Sequence, residues 1–365
     1  MPLIHIDILT PKQVRFFRRL IPLLEEKGHE VLVTARGYRE TVELLELEKM
    51  QFVQTGRYGG SSLEGKLEAS LRRGLRLAKL ISDIHPDITV SHASPEAARV
   101  AFGLGIPHLC VNDSPHAEAV ARLTVPLSIR LLTPKVIPKR DWAKYGIDWN
   151  AIIQYDAIDP AAWLRDLHPD KAVPGKLGLS GDKPIVVLRT EEAYASYLSD
   201  HRPRYGSVVV SVVRELFSLL GGRIEIVVLP RYASQVSKVK RSVPSEVKVA
   251  EHVIDTPSLL AASSVFIGGG GTMTAEAALL GVPSISCYPG ETTRVESFMV
   301  RKELVRKIRD PIEIAREVAK ILDNPEPTQA SQKERASAML SRMEDPVEAI
   351  YRTIKDLLET ERSNL

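Results

Sequence analysis

The chain has 365 residues, of which 44% are hydrophobic, 26% charged and 5% aromatic, and its formal net charge at pH 7 is +3. This length exceeds one ordinary core and suits two domains. The near-neutral balance excludes the broad basic field of a nucleic-acid-binding protein. Cys110 and Cys287 lie in separate apolar runs, which indicates buried thiols in a reducing compartment. No signal-peptide pattern or membrane-length apolar run is visible, so we expect a cytoplasmic protein, with peripheral membrane contact as an alternative.

Short β-rich runs alternate with amphipathic helices through the first half of the chain. Leu3–Leu9 predicts a strand, and a helix follows that ends at Gly28 and carries one apolar face, Val14, Phe17, Ile21 and Leu24. A longer helix is lined by Leu63, Leu67, Leu71, Ala78 and Ile81. Strands are also expected in "VLVTA", "MQFVQT", "DITVSH" and "PHLCVND". This alternation is typical of a parallel sheet with helices on both faces.

The alternation breaks near "NAIIQYDAIDPAAWL" and restarts at "KPIVVLRT", with further strands in "IEIVVLP", "VKVAE", "VFIGG" and "PSISC". We therefore predict an α/β protein of GT-B type, in which two Rossmann-like parallel-sheet domains face each other across a cleft. The domains are residues 1–158 on the acceptor side and 159–345 on the nucleotide side. Residues 346–365 form a C-terminal helix that packs back on the first domain. Ligands of such sheets bind outside the carboxyl ends of the strands.

The segment "VFIGGGGTMTAEAALLG" predicts a strand, a glycine turn and a helix. Gly268, Gly269, Gly270 and Gly271 permit positive φ and close approach of a ligand, and the helix N-terminus suits a phosphate. Thr272 or Thr274 can cap the helix, and Glu276 can accept hydrogen bonds from ribose hydroxyls. The alternative is a tight turn without a ligand. The segment lacks the lysine of a Walker loop and the third glycine of a dinucleotide fingerprint.

The segment "GGGGTMTAEAALLGVPSI" resembles the nucleotide-binding segment of GT-B glycosyltransferases, MurG-like enzymes among them, and of the non-hydrolysing UDP-N-acetylglucosamine 2-epimerases. In those families a small-residue loop meets the diphosphate and a glutamate before a Gly-x-Pro turn holds the ribose, and Glu276 matches that glutamate. The segments "HASPEAARVAFGLGIP", "NDSPHAEAV" and "LLGVPSISCYPG" resemble an archaeal family of unknown function in the same superfamily. The resemblance covers nearly the whole chain and implies a uridine-based nucleotide sugar as substrate.

Two arginines follow strands of the second domain. Arg189 ends "VVLR" and Arg231 follows "VVLP", so both are expected at the level of the glycine loop. An arginine can bind a diphosphate through two parallel hydrogen bonds, and the alternative for each is a surface charge. Glu191 and Glu192 are expected to be solvated.

Polar side chains also follow the strands of the first domain. Lys12 is a candidate for the acceptor side, with an ordinary helix start as the alternative. The loop residues Gly60 and Ser61 are also candidates, with a flexible loop and a serine cap as the alternative. Ser94 is a further candidate. The candidate catalytic residues are His92, Asp113 and His116. Asp113 is the first choice as general base and His116 the second, and Asp113 has helix capping as its alternative.

No Cys or His pair has zinc spacing, and no Asp-x-Asp is present, so we expect neither metal nor cofactor. The leading hypothesis is a metal-independent glycosyltransferase that uses a nucleotide diphosphate sugar. An epimerase or hydrolase acting on the same nucleotide sugar and a non-catalytic binding protein are the alternatives. Ala93 stands where the epimerases carry an acid, and "LRTEE" lacks their histidine, which favours the transferase. The expected partners are the nucleotide sugar, a lipid-linked or polyol acceptor, no nucleic acid, and a second copy in a homodimer.

Overall fold

The computed structural model of the chain describes residues 1–191 and 207–363. It divides into two compact units, Met1–Trp163 together with Met343–Leu365, and Leu164–Arg342. The elements up to residue 164 are β1 Leu3–Ile8, α1 Pro11–Phe17, α2 Leu20–Glu26, β2 Glu30–Gly37, α3 Arg39–Leu47, β3 Val53–Arg57, α4 Leu63–Ile84, β4 Ile88–Ser91, α5 Pro95–Gly103, β5 His108–Val111, α6 Glu118–Thr124, β6 Arg130–Pro134, α7 Arg140–Ala143, β7 Ile152–Tyr155 and α8 Ala161–Leu164.

The later elements are α9 Val173–Lys176, β8 Ile185–Arg189, α10 Val208–Leu220, β9 Glu225–Leu229, α11 Ala233–Lys240, β10 Lys248–Val249, α12 Thr256–Ala261, β11 Val265–Gly268, α13 Thr272–Leu279, β12 Ser284–Ser286, α14 Arg294–Arg301, β13 Val305–Lys307, α15 Pro311–Asp323, α16 Pro325–Arg342 and α17 Pro346–Ser363. Within the described residues, no helix has both the length and the apolar character that crossing a membrane requires.

The sheet of the first unit has seven parallel strands in the order β3-β2-β1-β4-β5-β6-β7. The chain builds outward from β1 to β3, then returns to the other side of β1 with β4. Strand order therefore reverses between β1 and β4. In parallel sheets the loops on either side of such a switch point diverge, and the crevice between them is the usual ligand site.

The sheet of the second unit repeats this plan with six parallel strands in the order β10-β9-β8-β11-β12-β13. Its order reverses between β8 and β11, where Gly268 is paired in register with Arg189. Apolar side chains from both faces of this sheet form two buried clusters, one including Val186, Val213 and Ile314 and the other Val187, Leu260 and Phe266. The expected α/β class with two parallel-sheet domains is confirmed.

The first predicted helix is two helices in the structure. Pro22 lies in the first turn of α2, where it has no N–H to donate to the carbonyl of Arg18 and its ring crowds that carbonyl. The helix is interrupted at this point, between Phe17 and Leu20. Arg19 in the interruption donates to the carbonyl of Ala162 and pairs with Asp345, just before α17. Helix α17 packs against α2 in the first unit.

The long helix α4 forms as expected, but Leu63, Leu67 and Leu71 face away from the sheet. Leu63, Leu67 and Leu71 are 75%, 62% and 62% exposed, so a core role for them is wrong. The buried face instead presents Arg73, Leu77 and Ile81. Arg73 donates to the carbonyl of Thr55 and forms ion pairs with the carboxylates of Asp7 and Glu96, and these contacts fix which side of the helix turns inward.

Candidate active site

The candidate catalytic residues of the first unit are joined by one lysine. The Lys12 ammonium lies 2.7 Å from Oδ2 of Asp113 and 2.7 Å from Oδ2 of Asp159. The Asp159 carboxylate in turn lies 2.8 Å from Nε2 of His92. These four side chains therefore form a continuous chain of charged and polar groups, which we call the lysine cluster.

The lysine cluster lies at the switch point of its sheet. Lys12 follows β1 and His92 follows β4, the two strands between which the order reverses. Gln13 ties these two loops together, because its Oε1 accepts from the amide of Leu9 and its Nε2 donates to the carbonyl of His92. Asp113 follows β5, and its other carboxylate oxygen accepts from Ser114 Oγ at 2.8 Å. The alternative that Asp113 caps the next helix does not fit, because α6 begins at Glu118.

Asp159 is the buried centre of the lysine cluster. Its side chain is 1% exposed, against 20% for Lys12 and 17% for Asp113. Burial alone would raise the pKa of Asp159, but the Lys12 ammonium and the hydrogen bond from His92 together hold that pKa below its usual range. Burial alone would lower the pKa of Lys12. The carboxylates of Asp113 and Asp159 outweigh this effect of burial and raise the pKa of the lysine. Both groups are therefore charged at neutral pH, and each ion is compensated.

Tyr155 completes the contacts of Asp159 by donating its hydroxyl to Oδ1 at 2.7 Å. Burial and the adjacent carboxylate raise the pKa of Tyr155 well above its ordinary value, so the phenol remains a donor. The edge of the Phe16 ring packs against the His92 imidazole at 5.3 Å between centroids. His92 is thus held on one side by an apolar ring and at Nε2 by a carboxylate, an arrangement that fixes the orientation and the tautomer of the ring.

Among the other first-domain candidates, His116 lies close enough to the lysine cluster for the charges of Asp113 and Lys12 to act on it. His116 is exposed, two residues beyond Ser114. Ser94 is fully buried and caps α5 by accepting from the amide of Ala97, a role that was not expected from the sequence. Gly60 has φ +79° and Ser61 is exposed, and Ser62 caps α4. Neither Gly60 nor Ser61 has a contact that links it to the lysine cluster in the described part of the chain.

Potential metal-ligating atoms do occur in the lysine cluster. One atom each from His92, Asp113 and Asp159 lies within 4.8 Å of the others. The Lys12 ammonium contacts both carboxylates at hydrogen-bond distance, so a positive charge already stands where a cation would bind. A divalent ion and the protonated lysine would compete for the same oxygens.

The glycine loop of the second unit lies at the switch point of its own sheet, between the ends of β8 and β11. Gly270 and Gly271 have φ of +96° and +98°, a region that glycine enters without strain. At each of the four glycines, a neighbouring group occupies the space that a Cβ would need. A Cβ at Gly268 would collide with Thr274 Oγ1, one at Gly269 would lie 2.7 Å from the Glu191 backbone, and one at Gly270 would lie 2.5 Å from the Tyr288 ring. The bare backbone is therefore required by the fold itself.

Arg231 braces this loop. Its Nη2 donates to the carbonyl of Gly270 at 2.6 Å and its Nε to the carbonyl of Thr190 at 3.3 Å. A Cβ on Gly271 would lie 2.7 Å from the same guanidinium. Arg189 is turned to the neighbouring loop, where it donates to the carbonyl of Pro230 at 2.8 Å. Both arginines are half-buried and engaged by backbone carbonyls, so neither is a simple surface charge.

The start of α13 differs from the expectation. Gly271 is the N-cap residue and no side chain caps the helix, so the capping role assigned to Thr272 or Thr274 is wrong. Thr272 is the first helical residue, while Thr274 points inward, where its hydroxyl has no hydrogen-bond partner in the described residues. An uncapped N-terminus leaves its first amides without intrahelical acceptors. Glu276 lies one turn further along and is 4% exposed.

Glu191 is buried, so the expectation that it is solvated is wrong. Its carboxylate accepts from Ser207 Oγ at 2.7 Å and from the amide of Val209 at 2.9 Å. A carboxylate at the first turn of α10 is stabilised by the amides and dipole of that helix. Glu192 lies outside the described residues.

Sequence reasoning missed two groups of polar residues. Asp159 and Tyr155 lie in "QYDAIDP", which was interpreted as the domain join, although an acid between buried apolar residues was a visible signal. In the second unit, Glu296 accepts from Ser286 Oγ and lies 3.1 Å from the Lys307 ammonium. Lys307 belongs to β13, a strand that the sequence did not reveal.

Two archaeal proteins are similar to the chain in sequence. An uncharacterized protein of Methanocaldococcus jannaschii is 31% identical over 318 residues, which cover 85% of this chain and 89% of that protein. A protein of Methanosarcina mazei described as an uncharacterized glycosyltransferase is 28% identical over 286 residues, with 72% of this chain and 73% of that protein covered.

Solved structures match over nearly the full length. The UDP-GlcNAc 2-epimerase from Neisseria meningitidis bound to UDP-GlcNAc has a TM-score of 0.72 at 15% identity, covering 97% of this chain and 100% of that chain. The spinosyn forosaminyltransferase SpnP has a TM-score of 0.63 at 18% identity, covering 98% and 99%. At these identities the likeness shows the fold alone, which is the two-domain GT-B fold.

One family model matches residues 3–359, which is almost the whole chain, and its description is "Protein of unknown function (DUF354)". The archaeal relatives and the fold agree with the resemblance found in the sequence. The chain belongs to the DUF354 family.

Proposed function

We propose that this chain is a GT-B glycosyltransferase that takes a nucleoside diphosphate sugar, with uridine as its nucleoside, and passes the sugar to an acceptor hydroxyl without a metal ion. The observation that carries the proposal is positional. Each unit has a polar centre at the place where its strand order reverses, the lysine cluster beside the ends of β1 and β4 and the glycine loop between β8 and β11. That place is where parallel α/β sheets bind their ligands.

The second unit supplies the nucleotide site in this proposal. The uncapped N-terminus of α13 offers free amides and a positive dipole end to a diphosphate, and Arg231 adds a cation beside it. Glu276 takes the ribose hydroxyls. The packing reasons found for the glycines mean that their number alone is no argument for a ligand. The support comes from the open helix end, the arginine and the switch point together.

The first unit supplies the chemistry. In the proposed step the acceptor oxygen attacks the anomeric carbon, the bond from that carbon to the diphosphate oxygen breaks, and the nucleoside diphosphate leaves with the bonding electrons. The hydroxyl proton passes to a base of the lysine cluster. Two residues are candidates for this base. Asp113 is more exposed than Asp159, and His92 is oriented by Asp159; His116 is the third candidate. The amides of α13 and Arg231 stabilise the leaving diphosphate, as preorganised donors do elsewhere.

The names of related proteins support the choice of ligand. A Methanosarcina relative is described as a glycosyltransferase, and structures of the same fold were determined with UDP or UDP-GlcNAc bound. We extend the ligand class to this chain and leave the sugar open. Lipid-linked and polyol acceptors both belong in the test panel.

An epimerase or hydrolase acting on the same nucleotide sugar is the second candidate, and a specific observation favours it. The sequence argument against it was a missing acid at Ala93. The lysine cluster nevertheless contains two carboxylates, a histidine and a lysine, which is enough acid and base to move protons on a bound sugar without an acceptor.

Binding is the first experiment. Isothermal titration with UDP, GDP, ADP, TDP and CMP, each with and without magnesium, is expected to give one selective diphosphate whose affinity magnesium leaves unchanged. Glu276→Gln is expected to weaken that affinity about tenfold or more, since a hydrogen bond to a charged group is lost. Glu313→Gln, at an exposed position of α15, is the matched control. Equal affinity in the two variants refutes the ribose assignment.

Turnover separates the candidate reactions. Incubation of the bound nucleotide sugar with the acceptor panel is expected to release nucleoside diphosphate only when an acceptor is present. Altered or free sugar formed without acceptor instead supports the epimerase or hydrolase. Tight binding with no consumption leaves a binding protein.

The catalytic assignment is tested in the same assay. His92→Gln and Asp113→Asn are expected to lower kcat by about a hundredfold where the residue is the base, and His116→Ala tests the third candidate. The exposed His168→Gln serves as control. Full turnover in the His92, Asp113 and His116 variants refutes the assignment.

A further inference from the structure

Helix α4 presents a row of exposed leucines. Leu63, Leu67, Leu71 and Leu75 follow one another at four-residue spacing and are 75%, 62%, 62% and 75% exposed. Residues at this spacing form one ridge on the helix surface. Single exposed leucines are common on protein surfaces, but a continuous ridge of them marks a surface that another molecule covers. We call it the leucine ridge.

A second ridge runs beside it and carries charges in a particular order. Glu64 and Glu68 come first and Arg72 and Arg76 follow, and all four are exposed. In the single chain, Arg72 pairs with Glu68 at 2.6 Å, one turn apart. The acidic half of this charged ridge therefore lies towards the N-terminus of α4 and the basic half towards its C-terminus.

This order is complementary to itself when reversed. If a second α4 lies antiparallel to the first, with a two-fold axis at the level of residues 69 and 70, Glu64 faces Arg76 of the copy and Glu68 faces Arg72. The same axis brings Leu63 close to Leu75 of the copy and Leu67 close to Leu71. A two-fold axis requires such self-complementarity from an interface that uses the same patch twice.

We propose that the leucine ridge and its charged neighbour form the interface of a homodimer, in which two α4 helices pack antiparallel across a two-fold axis. Helix pairs that cross at only about 20° pack their side-chain ridges into each other's grooves over several turns, with their axes about 8–10 Å apart. From Leu63 to Leu75 the ridge spans about 18 Å at 1.5 Å per residue. Gly74, a residue without a side chain, stands beside the leucines, and a Cβ there would meet nothing within 4 Å, so the helices have room to approach.

The alternative occupant is a membrane surface, and the charge order disfavours it. An anionic lipid surface attracts Arg72 and Arg76 but repels Glu64 and Glu68, so the ridge cannot lie flat on it with all its leucines inserted. A second copy satisfies both halves at once. The proposal uses only surface residues of the first unit and does not depend on the proposed reaction.

Light scattering behind size exclusion is the first test. The full chain, 40.4 kDa, is expected to elute at twice its chain mass and to dissociate on dilution. Leu67→Ser combined with Leu71→Ser is expected to give the monomer mass at the same concentration. Tryptophan fluorescence checks that this variant folds as the unaltered chain does.

Charge swaps make the test specific for this pairing. An all-basic variant, Glu64→Arg with Glu68→Arg, and an all-acidic variant, Arg72→Glu with Arg76→Glu, each place like charges opposite each other in the dimer. Each is expected to dissociate about a hundredfold more readily, because juxtaposed like charges oppose association. When the two variants are mixed, opposite charges meet again and a heterodimer is expected to form.

The control variant is Glu25→Arg with Glu26→Arg, which makes the same charge change at exposed positions on α2 and is expected to remain dimeric. A monomeric unaltered chain overturns the proposal, and so does a dimer that all the ridge variants retain. Flotation of the monomer with anionic vesicles, lost in the leucine variant, identifies the membrane as the occupant and also overturns it.

Discussion

Replacement of Lys12 by methionine tests how far the first unit depends on its lysine cluster. The change removes the ammonium that lies 2.7 Å from both Asp113 and Asp159 and leaves a side chain of similar length. Asp113 is partly exposed and can be solvated by water. Asp159 is 1% exposed, so its carboxylate would remain buried without its main counter-charge.

The expected loss follows from this burial. Breaking a buried ion pair by removing one partner destabilises a protein by about 3–5 kcal/mol. His92 still donates to Asp159 and offsets part of the loss, so we expect about 3 kcal/mol at pH 7. Lys135→Met is the matched control, because Lys135 pairs with Asp156 at the surface with both side chains more than half exposed. An exposed pair contributes about 1 kcal/mol or less.

The assay can observe the first unit by itself. All three tryptophans of the chain, Trp142, Trp149 and Trp163, belong to it. Trp142 is fully buried, so tryptophan fluorescence in guanidinium reports the unfolding of this unit. If Lys12→Met loses no more stability than Lys135→Met, the bridge between the two carboxylates contributes nothing and the argument fails.

The pH dependence of the free energy of unfolding tests the Lys12→Met variant in a second way. In the unaltered chain the folded pKa of Asp159 lies below its usual range. Such a group contributes stability that is present above the unfolded pKa, about 4, and is lost as the pH falls through the folded value. Without Lys12 most of this contribution is absent. The stability gap between the two proteins should therefore be widest near neutral pH and narrow in acid below about pH 4.

Three further predictions concern other parts of the chain. Gly270→Ala places a Cβ against a tyrosine ring at a residue with φ +96° and should weaken diphosphate binding about tenfold or more. Gly222→Ala is the control and should bind normally in the same titration, because its Cβ would meet nothing within 4 Å. Arg73→Met leaves buried carboxylates unpaired and should lower the free energy of unfolding of the first unit by about 3 kcal/mol or more, while the exposed Arg72→Met should change it by less than about 0.5 kcal/mol; an equal effect contradicts the buried network. Burial lowers the pKa of His108 from 6.5 to about 3. The stability that this residue contributes above pH 6.5 should therefore be lost in acid, by about 2 kcal/mol at pH 5. In fluorescence-monitored unfolding, His108→Gln should remove this part of the dependence of the free energy of unfolding on pH.

The alternation of strands and helices could be predicted because it depends on local patterns. Val265–Gly268 and Thr272–Leu279 form the expected strand and helix on either side of a glycine turn, and all the strand pairs are parallel. Local patterns also fail in identifiable ways. Pro22 interrupts a helix whose apolar face is otherwise continuous. In α4 the periodicity shows an apolar ridge correctly, but Arg73 binds Asp7 and Glu96 and turns the other side inward.

The candidate site could be predicted only in part, for a different reason. His92 and Asp113 were found because each follows a strand of the expected parallel sheet. Asp159 was missed because its own segment contains no residue that would bind its carboxylate in the way His92 does, and His92 lies 67 residues away in sequence. Its role exists only once β1, β4 and β7 belong to one sheet.

The glycine loop shows why topology is the stronger argument for a site. Four consecutive glycines suggested a backbone kept bare for a ligand, yet Glu191, Tyr288 and Arg231 occupy the space that the missing Cβ atoms would take. The same glycines would be needed in a turn that binds nothing. The chemistry at each switch point is not explained in this way, because packing does not require the end of α13 to lack a side-chain cap, nor four charged or polar side chains to meet in the lysine cluster. Two polar centres at the two switch points are what a two-substrate transferase needs, one for the leaving diphosphate and one for the proton of the acceptor.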